Sequence, residues 1–82
     1  ADPHFAAAVQ HIERYQETVM ARSRQLVMEY DRKMTESRDF SLTAEANEKI
    51  CAMAGEETAD TLTKVLQTAS EQMKNGFNRA DH

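Results

Sequence analysis

Phe5, Ile12, Val19 and Leu26 follow one another at intervals of seven residues. That interval returns a side chain to nearly the same azimuth every two helical turns, so the four mark one seam along one long helix. Val9, Gln16, Ser23 and Tyr30 fill the interleaved four-and-three offsets. An apolar seam of this kind is stable when it is buried against another helix. Shape and assembly are therefore written into the chain more plainly than any chemistry.

Helix is also what the composition favours. Two Gly, one Pro and no Trp accompany many Ala, Glu, Gln, Lys, Arg and Met, which is a helix-forming mixture. At 82 residues the chain makes one small domain. Asp2-Pro3 reads as a helix start, with Asp as N-cap and Pro where its missing N–H costs nothing. The first helix is expected over 3–37, a turn over 38–41 and a second helix over 42–75, with 76–82 a frayed tail. Asp39, Ser41 and Thr43 are candidate caps of the second helix. Asn75-Gly76 is its expected stop, because glycine accepts the left-handed conformation that ends helices. Three acid-before-base pairs, Glu29–Lys33, Glu45–Lys49 and Asp60–Lys64, support the assignment.

Gly55 invites a third helix, since the large residues change face there. An unbroken second helix is the better reading, because Ala44, Glu48, Cys51, Gly55, Thr58, Leu62, Val65, Ala69 and Gln72 keep a four-and-three alternation. Folding back about Phe40 sets Phe5 against Gly76, Val9 against Gln72 and Ile12 against Ala69. It also sets Gln16 against Val65, Val19 against Leu62, Ser23 against Thr58, Leu26 against Gly55 and Tyr30 against Cys51. Bulky residues then face small ones, as close helix packing requires. The expected fold is an all-α antiparallel two-helix hairpin, coiled-coil-like, completing a four-helix bundle as a dimer. Gln16 and Ser23 interrupt the apolar seam and are candidates for setting its register.

This seam does not use every apolar side chain. Met20, Val27 and Met34 form a second seven-residue series on the first helix. Leu42, Ala46, Ile50 and Met53 share a face of the second. Two helices alone cannot cover this strip, and below about 70–80 residues one core rarely supplies more than about 3–5 kcal/mol. Met20, Val27, Met34, Leu42, Ile50 and Met53 are thus the expected docking strip, for a second copy or for a heterologous helix. Five methionines suit an adaptable docking surface.

Several function classes find no support. The net charge of −4 is mild, and the basic residues Arg22, Arg24, Arg32, Lys33 and Arg38 are interleaved with acids, so nucleic acid is not an expected partner. The longest apolar run, from Phe5 to Val9, is far shorter than the roughly 20 residues of a membrane span. His4 and His11 lack the further ligands a metal centre needs. Cys51, the one cysteine, has no expected base beside it and reads as a small hydrophobe. No cofactor motif occurs, and two rods cannot enclose a substrate, so catalysis is not expected. The outline is similar to that of secreted helical hairpins of the WXG class. Trp is absent, however, no Trp-x-Gly turn joins the helices, and no residue carries over. Ala1-Asp2-Pro3 looks like a remnant of cloning behind a secretion leader, which leans toward an extracellular setting.

The expected function is a noncatalytic protein–protein interaction or assembly module, acting by self-association or adaptor docking. One alternative is an amphipathic binder of lipid surfaces, against which stand the missing Trp and lysine rows. The other is an acidic helical inhibitor.

Overall fold

The computed structural model describes residues 3–80, with side chains placed for all of them but 72 and 75–80. Two helices make up the fold, α1 (Pro3–Ser37) and α2 (Leu42–Ala80), packed antiparallel as a hairpin. The expected cap Asp2, the end residue His82 and the pairings made to Gln72 and Gly76 lie outside what is described.

A ribbon one helix thick results, with extents of 69 × 19 × 9 Å. Its radius of gyration is 19.2 Å, against about 12 Å for a compact domain of this length. The shape follows from composition. Helix formers run almost without interruption through both segments, and α2 continues through Gly55 as a single helix. It also continues through Asn75-Gly76, where a stop was expected. A helical glycine costs only about 1 kcal/mol relative to alanine, too little by itself to end a helix that the flanking residues favour.

Side-chain oxygens and one unusual backbone conformation make the turn. Ser37 Oγ donates to the Lys33 carbonyl at 2.7 Å and accepts the Asp39 N–H at 3.3 Å. Arg38 takes the left-handed conformation, φ 54°, while its N–H still bonds the Met34 carbonyl at 2.7 Å. The Asp39 carboxylate then accepts the Ser41 N–H at 3.0 Å and the Ser41 hydroxyl at 2.6 Å. The backbone carbonyl of Asp39 receives the Leu42 N–H. Beyond the turn, Thr43 Oγ1 donates to Met34 Sδ at 3.3 Å and clasps the two helices.

Farther along, two polar contacts cross between the helices. The single hydroxyl proton of Thr58 goes to the Ala54 carbonyl at 2.7 Å, so Tyr15 Oη donates to Thr58 Oγ1, at 2.8 Å. Arg22 pairs with Glu57 across the same interface. Thr58 therefore meets Tyr15 and not Ser23, and the expected fold-back register is displaced. Ser23 is half-buried, whereas Gln16 is exposed and does not interrupt an internal seam. Ala8 and Thr18, like Tyr15, are half-buried on α1.

Two outcomes follow at the turn. Arg38→Gly removes the left-handed penalty of a residue with a Cβ, which is about 1–2 kcal/mol, and the more flexible unfolded glycine returns part of it. Thermal unfolding should therefore show a net gain of about 0.5–1 kcal/mol. The Ser41 hydroxyl and N–H also hold the Asp39 carboxyl below its ordinary value. A depressed carboxylate contributes stability above its unfolded pKa, about 3.9, and loses it as pH falls through the folded value. Asp39→Ala should flatten that acid limb in melts recorded between pH 2 and 5.

Candidate interaction face

The two broad faces of the ribbon differ in character. On one, a shallow depression between the helices has Leu26 and Met53 at its floor, ringed by Arg22, Gln25, Glu29 and Lys49. It continues past Glu57 into a second depression bearing His11, Arg14, Asp60 and Lys64. Near the turn Lys33 sits 3.1 Å from Glu29 and 4.8 Å from the Tyr30 ring centroid. Glu29 holds the Lys33 ammonium pKa above its ordinary value. This is a solvated, charge-balanced surface.

On the opposite face Ile12 and Leu62 line an apolar hollow whose base is Tyr15, Thr58 and Thr61. Phe5 lies one seven-residue step from Ile12, and it is 69% exposed. Met20 and Val27 extend the α1 side of the strip, both exposed. Leu66 and Met73 extend the α2 side and are 67% and 72% exposed. Cys51 and Ala69 lie at the same α2 spacing, also exposed. Along α1 the positions Phe5, Val9, Ile12, Gln16, Met20 and Val27 include no charge at all.

The residues expected as seam and as docking strip are therefore redistributed. Leu42, Ile50 and Met53, expected on the outer strip, are half-buried and share the α2 side of Glu57, the side turned toward α1. Met34, from the same strip, is half-buried under its contact with Thr43. Met20 and Val27 remain outside. From the expected seam, Tyr30 is buried at 4% exposure, and Val9, Val19, Leu26 and Val65 are half-buried. Phe5, Ile12, Leu62, Ala69 and Cys51 are exposed. The Cys51 thiol lies 3.9 Å from the Asn47 side-chain oxygen and not against Tyr30.

The physical reason is that a seven-residue repeat identifies a face that something covers, without identifying the cover. In α1 the repeat of Phe5 and Ile12 runs beside the hairpin contact rather than through it. Leu66 carries no place in either expected set, although its spacing of four from Leu62 and seven from Met73 marked it. No group of three or more His, Cys, Asp or Glu that could hold a metal occurs among the described residues. Nor is any helix long and apolar enough to cross a membrane.

Tyr15→Phe removes the donor to Thr58 while leaving the threonine bonded to Ala54. Urea unfolding should show a loss of about 0.5–1.5 kcal/mol, the usual net worth of one such bond, with helical content unchanged. Comparison with protein-family models, with curated proteins and with solved structures returns no match.

Proposed function

We propose that the chain is a noncatalytic assembly or docking module that works through the apolar face of its hairpin. One observation carries the reading. Among the described residues Tyr30 alone is buried, while Phe5, Ile12, Met20, Leu62, Leu66 and Met73 stand exposed. Apolar burial contributes about 25 cal/mol per Å², and a ribbon that hides so little gains little stability by folding alone. Contiguous exposed apolar surface on a small soluble fold marks a site of contact with another molecule. The opposite face, balanced in charge, keeps the assembled module in water.

A membrane surface fits less well. Binders of that type place lysine rows beside the apolar face and anchor with Trp or Phe. Here Trp is absent, and the α1 stripe has no flanking lysines.

Sedimentation, 8-anilinonaphthalene-sulfonate fluorescence and vesicle flotation test the reading together. The expected result is either an oligomer that leaves the dye dark or a monomer that lights it strongly. The chain should not float with phosphatidylcholine–phosphatidylserine vesicles. A monomer that melts cooperatively and leaves the dye dark would overturn the proposal, and so would flotation.

A further inference from the structure

The exposed face of α2 divides into two unlike halves. Toward the turn it presents Ala44, Glu48, Cys51, Gly55 and Ala59, all exposed and, apart from Glu48, small. Toward the open end it presents Leu62, Leu66, Ala69 and Met73, also exposed. Gly55 is the most informative of these residues. A Cβ built there meets nothing within 4 Å, so hairpin packing does not require its smallness. Yet a glycine in mid-helix costs about 1 kcal/mol relative to alanine.

Resting on the docking reading above, we infer that the occupant of this face is a second copy of the chain. It lies antiparallel across a two-fold axis between Thr58 and Ala59. In that register Leu62 of each copy falls on Gly55 of the other, Leu66 on Cys51, Ala69 on Glu48 and Met73 on Ala44. Every large side chain of one α2 meets a small one of its mate. A two-fold interface must be self-complementary in this way, and a face whose large apolar residues lie toward one end achieves it when reversed upon itself.

Area points to the same occupant. The chain exposes 6610 Å², about 1,600 Å² more than a compact monomer of its mass. Two chains that each hide that excess bury about 3,200 Å² in total, within the range of roughly 2,000–5,000 Å² that obligate homodimers bury. Stacking two ribbons, each one helix thick, gives a four-helix bundle.

Cross-linking and sedimentation of the full chain test the register. Ala59→Cys, in a Cys51→Ser background, places two thiols across the axis at about helix-contact distance, roughly 8–10 Å. A bis-maleimide of that reach should double the mass. The native Cys51 thiols stand roughly 22 Å apart along the axis at 1.5 Å per residue, and the same reagent should leave that chain single. Gly55→Leu should weaken the dimer at least tenfold while keeping full helical content, since the hairpin has room for it. A monomer at all concentrations that still binds the dye overturns this inference and leaves the docking reading standing. A dimer cross-linked through Cys51 and not through Ala59→Cys overturns the register. A dimer indifferent to Gly55→Leu overturns it as well.

Discussion

Two helices can shield only the line of side chains that runs between them. Everything else in this molecule follows from how that narrow space is allotted. Tyr15 and Thr58 occupy its centre with a hydrogen bond, and Arg22, two turns along α1 from Tyr15, reaches Glu57. Such polar contacts are directional, so they fix the axial position of one helix on the other. Each is a small net contributor, since water competes for the same groups. Polar groups thus bridge the centre of the hairpin, while about half of the large apolar side chains described lie exposed.

That division accounts for the two-faced ribbon. Leu42, Ile50 and Met53 take the α2 positions that face α1, Leu26 and Tyr30 answer from the other side, and the charged rims close over them on one broad surface. Phe5, Ile12, Leu62 and Leu66 fall on the other surface, beside the line that Tyr15 and Thr58 occupy. Both surfaces matter to the proposed assembly role. A greasy face backed by a soluble one can be covered without dragging the rest of the chain out of water.

Local rules made much of the architecture legible in the amino-acid order. Helix α1 ends at Ser37 as expected, because Ser37, Arg38 and Asp39 supply turn chemistry that acts within a few residues. The hairpin follows from an absence of breakers on both sides of that turn. Facing was harder to read. The repeat of Phe5, Ile12, Val19 and Leu26 has the same period whether the neighbour is α2 or another molecule, and only the Tyr15–Thr58 contact distinguishes them. Gly76 misled for a related reason: glycine permits a helix end without imposing one. The pairing of Thr58 with Tyr15 had no signal in the order of residues, since hydroxyls occur at many equivalent positions along both helices.

The clasp between Met34 and Thr43 also has a kinetic meaning. It closes a loop across a separation of nine residues, whereas Tyr15 and Thr58 are separated by 43. Loop-closure entropy scales with the logarithm of length, so the nearer contact is favoured by about 1.4 kcal/mol. Pairing is therefore cheapest beside Asp39 and Ser41 and costs more toward the open end. Phe5 and Met73 stand at that far end, where aligning the two helices costs the most chain entropy.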